Sequence, residues 1–408
     1  MTSKNNIPKG YKDSAVGVIP QEWEVKRLGS IAKCFSGGTP KSESEEMYGG
    51  TIPFIRSGEI HGDETALYLT DDGLRKSSAK MVNVGDLIFA LYGANSGDCA
   101  ISQINGAINQ AILCIRSLSV INPFLQPYLE LQKDRFIAKY LQGGQGNLSG
   151  EIVSSYTIPV PPLAEQRKIA EILGVWDEAI EKQSRLIEKL ELRKRGLMQR
   201  LLTGRTRLPG FTTPWQKCLY SDILKEVKRT MTWDDNEEYD LISVKRRSGG
   251  LFHRDRLLGK DIKTKNLRPA KLGDFLISKM QIVHGASGLV TEEFDGMKIS
   301  GSYIALVAKS REKVDMNFIN WYSQTPYFYH QTYVSSYGVH IEKMTFDLES
   351  FMSMNIMLPP LLEQKAIAEV LTAANNEITT HRKKLDALRL QKRGLMQQLL
   401  TGKTRVKI

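Results

Sequence analysis

Apolar residues recur at heptad spacing along two long stretches of the chain. Alternate steps of four and three residues from Ile169 meet Leu173, Trp176, Ile180, Gln183, Ile187, Leu190, Lys194, Leu197 and Leu201. From Ile367 the same steps meet Leu371, Ala374, Ile378, His381, Leu385, Leu388, Lys392, Leu395 and Leu399. A narrow apolar seam with polar interruptions at the same two places predicts two helices of coiled-coil type. Pro161-Pro162 and Pro359-Pro360 mark their starts, because proline cannot continue a helix from within. Thr203-Gly204 and Thr401-Gly402 supply glycine stops. Each seam needs one partner helix and the chain holds two, so an intramolecular coiled coil is expected. A parallel pair in register would set Lys194 against Lys392 in one apolar layer, a costly juxtaposition of like charges. An antiparallel pair separates the lysines and brings Gln183 near His381. The alternative is that each helix packs onto its own domain.

Shorter β-rich runs, broken by Gly, Asn and Ser, flank these helices. Strands are predicted at Thr51–Ile55, Asp86–Ala90 and Ala111–Ile115, then at Tyr239–Val244, Phe275–Ser278 and Tyr303–Val307. Helices are predicted near Pro123–Tyr140 and Asn317–Tyr333. The fold class is therefore α+β: two mixed α/β domains in tandem, separated by two long helices forming an antiparallel coiled coil. The boundaries read 1–160, 161–207, 208–358 and 359–408. The pattern leaves sheet order open.

The organisation is a duplication. Residues 161–207 and 359–405 align at a constant offset of 198 without a gap, and about half of the paired positions are identical. The segments before them are only faintly alike, although Trp23 and Trp215 open each unit. Val84-Gly85-Asp86-Leu87-Ile88-Phe89 is echoed by Leu272-Gly273-Asp274-Phe275-Leu276-Ile277. Matching supports with differing surfaces suit the reading of two different targets.

Charge and composition narrow the partners. The 408 residues carry a formal net charge of +11, which favours a polyanion, nucleic acid before membrane. No apolar run reaches the roughly 18–20 residues of a membrane span. The N-terminal MTSKNNIPKGYKDS lacks the apolar core of a secretory signal, so a cytoplasmic protein is expected. Cys34, Cys99, Cys114 and Cys218 form neither a CxxC pair nor a disulfide framework, and are expected reduced.

Catalytic signatures are thin. No GxxxxGK[ST] loop occurs, which argues against ATP hydrolysis. Gly143-Gly144-Gln145-Gly146 follows a helix and reads as a loop. Asn122-Pro123-Phe124 lacks the second proline of an adenine-methyltransferase motif and reads as a turn before a helix. Asp240 with Asp261-Ile262-Lys263 has only the loose spacing of a nuclease site. The six histidines are scattered without a metal-ligand pattern, and His381 sits on the seam.

Basic and polar loops are better represented. Lys245-Arg246-Arg247-Ser248-Gly249-Gly250 follows a predicted strand and continues into His253, Arg254 and Arg256, a basic loop suited to phosphate contact or guanine readout. Its bland alternative is a solvated surface loop. Base-reading side-chain types also occur in Arg56 and Ser57, in Tyr92, Asn95 and Ser96, and in Gln145 and Asn147. The second unit adds Lys279, Ser336, Tyr337 and His340. Arg193, Lys194, Arg195, Arg200, Arg205 and Arg207 crowd the first helix end, matched by Lys392, Arg393, Lys403 and Arg405. Part of that charge complements the helix dipole, and the remainder are candidates to line DNA or dock a protein.

The chain resembles the specificity subunits of type I restriction–modification systems. The resemblance rests on the twin PPLxEQ-to-KRGLMQxLLTG(R/K)TR helices, Pro161–Arg207 and Pro359–Arg405, and spans essentially the whole chain. Ser36-Gly37-Gly38-Thr39-Pro40, Ile52-Pro53-Phe54-Ile55, Gly85-Asp86-Leu87-Ile88 and Asn109-Gln110-Ala111 add to it. The second unit lacks GGTP and has Ser302-Tyr303-Ile304 in place of Asn-Gln-Ala, so no base contact is carried over from one domain to the other. The resemblance implies two target-recognition domains, each reading half of a bipartite site in double-stranded DNA, joined by antiparallel helices. It implies a non-catalytic subunit that binds no cofactor itself. Two modification subunits would bring S-adenosylmethionine to methylate adenine N6, and motor–nuclease restriction subunits would bring ATP and Mg²⁺. The rivals are a fused methyltransferase or nuclease, and a coiled-coil scaffold that binds only proteins.

Overall fold

The computed structural model describes residues 7–41, 44–140 and 148–408. The chain divides into two compact units, Met1–Ser184 with Lys383–Ile408, and Arg185–Arg382. Both long helices are present, Leu163–Leu201 and Leu361–Leu399, each of 39 residues. At 1.5 Å per residue each is about 60 Å long. Every seam position named above is buried or half-buried.

The first unit contains a four-stranded antiparallel sheet in the order Ala32–Ser36, Ile112–Ser117, Leu87–Ala90, Cys99–Ile101. A second sheet runs Tyr68–Leu69, Tyr48–Ile55, Gly106–Ile108, Lys80–Val82, with a parallel pair at its centre. The second unit repeats both orders. Its antiparallel sheet is Leu224–Glu226, Tyr303–Ala308, Phe275–Ser278, Ser287–Leu289. Its mixed sheet is Leu251–Leu258, Glu238–Val244, Lys298–Ser300, Leu267–Pro269, again with a central parallel pair. All six predicted strands are found, and the two faintly similar segments share one topology.

Side-chain alternation explains why the central strands read as unbroken apolar runs. All four residues of Leu87–Ala90 are buried. Leu87 and Phe89 point into a core with Phe124, Leu129 and Phe136 of the helix Asn122–Tyr140, while Ile88 and Ala90 join Ile55, Val82 and Ile108 on the opposite face. Phe275 and Ile277 likewise face Phe318, Phe328 and Phe351, and Leu276 turns to Ile242 and Ile299. A strand covered on both faces has no polar side to alternate with.

Each unit takes the beginning of one long helix and the end of the other. Ile169 and Leu173 share the first core with Met396, Leu399 and Leu400. Leu201 and Leu202 share the second with Ile367 and Leu371. Within the first unit Lys392 Nζ meets Asp177 Oδ1 at 2.5 Å. Within the second, Arg193 pairs with Glu377 at 3.0 Å and Lys194 Nζ donates to Asn375 Oδ1 at 3.0 Å. Each seam lysine thus has its own acceptor. Burial, aided by the nearby Arg382 charge, lowers the Lys194 pKa.

Two expectations need correction. The helix expected near Asn317–Tyr333 is two helices, Met316–Tyr322 and Pro326–Val334. Pro326 lacks the amide that would continue the first helix, and the Thr325 side chain caps the second by accepting from Phe328 N. The basic stretch Lys245–Arg256 is not one loop. Residues 245–250 make a turn, and Leu251–Leu258 is a strand paired with Glu238–Val244. All four cysteines are free thiols. Among the described residues no helix is long and apolar enough to cross a membrane, and no cluster of potential ligands would hold a metal.

Candidate nucleic-acid interface

In the second unit the turn after Glu238–Val244 is braced from three directions. Arg246 Nε donates to Gln281 Oε1 at 2.6 Å, and Arg246 Nη2 meets Glu342 at 2.9 Å. Glu342 also lies 3.3 Å from His284 Nε2. The backbone amides of Arg247 and Ser248 donate to the carbonyls of His284 (2.7 Å) and Gly285 (2.9 Å). Ser248 Oγ and the Tyr329 hydroxyl share a 2.7 Å hydrogen bond. Gly285 is required here, because a Cβ would lie 1.9 Å from that hydroxyl. Lys245 Nζ sits over the Phe252 ring at 5.4 Å. Lys279 O accepts from Phe346 N, and Phe346 pairs with Ser336 across a short ladder. The structure thereby gathers Lys245, Arg246, Arg247, Lys279 and Ser336 into one neighbourhood. Tyr337, at the end of that short strand, and His340, on the loop that follows it, stand exposed.

Much of the positive charge in this region is already neutralised. Arg254 pairs with Asp255 at 3.0 Å and Arg256 with Glu238 at 2.8 Å, while His253 Nε2 and Asp240 Oδ1 share a 2.8 Å hydrogen bond. Arg254 therefore lies on an edge strand with its own carboxylate, outside the braced turn.

In the first unit, Asn95 Nδ2 donates to Ser57 O at 3.1 Å, joining the loop that follows Tyr48–Ile55 to the loop that follows Leu87–Ala90. Arg56 forks onto Glu59 through Nε (3.2 Å) and Nη2 (2.8 Å), holding that carboxyl below the usual range. Ser96 turns inward to Leu91 O at 3.1 Å, and Tyr92 is half-buried against the core. Gln145 and Asn147 lie outside the described residues.

A second constellation, not foreseen from the sequence, occurs once in each unit. Glu165, fully buried in the first turn of its helix, accepts from Trp23 Nε1 at 2.9 Å and from Arg405 Nε at 2.7 Å and Nη2 at 3.0 Å. Glu363, equally buried, accepts from Trp215 Nε1 at 3.1 Å and from Arg207 Nε at 2.5 Å and Nη2 at 2.6 Å. The neighbouring glutamines act in parallel. Gln166 donates to Pro161 O and accepts from Ile121 N, while Gln364 donates to Pro359 O and accepts from Asp315 N. The E-Q and T-R ends of the repeated helices thus form a clasp between each unit's tryptophan and both of its helix segments. Arg207 and Arg405 are occupied there, not available to line DNA. The signal was legible, since Trp, Glu and Arg recur at matching places in the duplication.

The family model of the type I restriction modification DNA specificity domain matches residues 20–192 and again 222–390. This chain belongs to that family. Each of the two specificity domains takes in both sheets of a unit and ends within a long helix. Among curated relatives, the type I restriction enzyme MjaVIII specificity subunit of Methanocaldococcus jannaschii is 23% identical over 95% of this chain and 94% of its own. The putative MjaX specificity subunit of the same organism is 25% identical over 98% and 97%. The crystal structure of a type I restriction–modification S subunit from M. genitalium shares the fold, with a TM-score of 0.59 at 13% identity over 98% of each chain.

Proposed function

We propose that this specificity-family chain is the sequence-reading subunit of a type I restriction–modification complex, each unit recognising one half of a bipartite DNA site. The observation that carries the reading is the duplicated specificity domain: one topology twice, with different side chains on the loops. Asn95 joined to Ser57 and the braced turn at 245–250 are held surfaces on which base-reading side chains can be presented. The long helices are read as an antiparallel coiled coil that sets the half-site separation and docks two modification subunits. The opposed pairings Asp177–Lys392 and Arg193–Glu377 support that reading. S-adenosylmethionine for adenine-N6 methylation would be bound by the modification subunits, and ATP and Mg²⁺ by motor–nuclease subunits.

The test is a salt-titrated DNA-binding measurement on the complex with modification subunits, beside S-adenosylmethionine dialysis on the chain alone. Specific binding with a steep salt dependence is expected, since each phosphate contact contributes about −0.9 to the log–log slope. The chain alone should retain no S-adenosylmethionine. Cofactor retained by the chain alone would favour the fused-methyltransferase reading, and a complex without DNA affinity would favour a protein scaffold.

A further inference from the structure

Among the described residues, only Arg247 (φ 57°) and Ser248 (φ 53°) hold left-handed backbone without being glycine. Consecutive residues in that region persist only where their surroundings over-determine them. Here the surroundings do so: two backbone hydrogen bonds to His284 and Gly285, and the Ser248–Tyr329 bond. The side chain this turn displays is unusual for its neighbourhood. Arg246, Arg254 and Arg256 each have a carboxylate partner, whereas Arg247 is exposed and has no side-chain acceptor among the described residues. Glu342, the carboxylate that braces this turn, is engaged by Arg246 and lies against His284.

We infer that Arg247 is a guanine-reading residue of the second unit, that Ser248, Tyr329 and the His284–Gly285 backbone are its positioning clamp, and that Arg246 is an internal brace, not a DNA ligand. The inference rests on the reading of that unit as a half-site reader. A phosphate can be met by a flexible cation at many angles. Guanine O6 and N7 instead present two acceptors in one plane, which a guanidinium fork matches only from a fixed backbone position. A rigid, strained turn carrying one uncompensated arginine meets that requirement.

The experiment measures the complex with modification subunits against DNA in which each position of both half-sites is varied. Arg247→Gly removes the fork and suits the left-handed backbone, so thermal stability should hold or rise. Preference for G·C at one position of one half-site should fall about 10–100-fold, with the other half-site untouched. Arg247→Lys should lose most of that preference while keeping the salt slope. Tyr329→Phe should weaken the same position, by less, with Arg247 still present. A smaller salt slope with every base preference intact would mean a phosphate contact and overturn the assignment. So would wild-type behaviour in all variants. Wild-type complex with no half-site preference at all would instead remove the underlying reading of the unit, and the assignment with it.

Discussion

At the scale of single residues, the most consequential groups are two buried carboxylates. Glu165 and Glu363 are fully shielded from solvent, and each is compensated by an arginine fork and an indole N–H. Removing one partner from such a set leaves uncompensated groups in place, which costs more than the pair's net worth. Glu363→Ala is expected to destabilise the second unit by about 3–5 kcal/mol, read as a lowered denaturant midpoint. Glu363→Gln keeps an acceptor for the indole and should cost less; equal losses would show that the indole hydrogen bond contributes nothing and that the whole cost lies in the arginine pair. Asp86 gives a pH signature. Burial raises its pKa, but Arg116, the Asn83 amide and the Arg116 charge outweigh burial, and the net shift is downward. A lowered folded pKa means stabilisation that is complete above the ordinary aspartate value and lost as pH falls through the folded one. The denaturant midpoint of the first unit should therefore drop below about pH 4, and Asp86→Asn should flatten that drop while lowering stability at neutral pH. An unchanged acid profile in the variant would assign the drop to other carboxylates. The Gly-Asp echo at Asp86 and Asp274 was visible in the sequence, but the arginines answering it were not. Arg116 follows Asp86 by 30 residues and Arg229 precedes Asp274 by 45, on different strands or loops. Partners at unrelated sequence distances leave no periodic trace. The same holds for Arg246, whose brace Glu342 is 96 residues away.

At the scale of elements, the long helices were the most legible part of the molecule, because a seam repeated over 39 residues is a strong periodic signal. Strands of three or four residues, and parallel pairs between segments some fifty residues apart, carry no such signal, which is why sheet order had to come from the structure. Helix pairing has a direct test. Lys392 is mostly buried beside the exposed Asp177. Lys392→Glu should set two carboxylates together and lower the first unit's stability by about 1 kcal/mol. Adding Asp177→Lys in the same chain should restore most of the loss. A double variant no better than the single would contradict the pairing of these helix segments. Cysteines at 169 and 395, whose native residues share one core, should crosslink readily, and efficient crosslinking between 169 and 367 instead would favour parallel helices. Native thiols should interfere little, since burial pushes Cys114 up to about 12 and raises Cys34, Cys99 and Cys218 as well.

At the scale of the whole molecule, the duplication separates two tasks. The repeated parts (helices, clasps and sheet order) are the same solution used twice, so they carry no information about which sequence is read. The segments at 56–59, 92–96, 245–250 and 336–343 differ between units and sit on that common support. A net charge of +11 supplies general attraction to DNA, while the held loops are where discrimination would arise. With one unit reading one half-site, discrimination is modular. The measurement is a map of methylated adenines in DNA exposed to the assembled complex, before and after residues 208–358 are exchanged for the corresponding domain of a relative. One half-site is expected to change to the relative's while the other half-site stays as it was. Both half-sites changing together would contradict it.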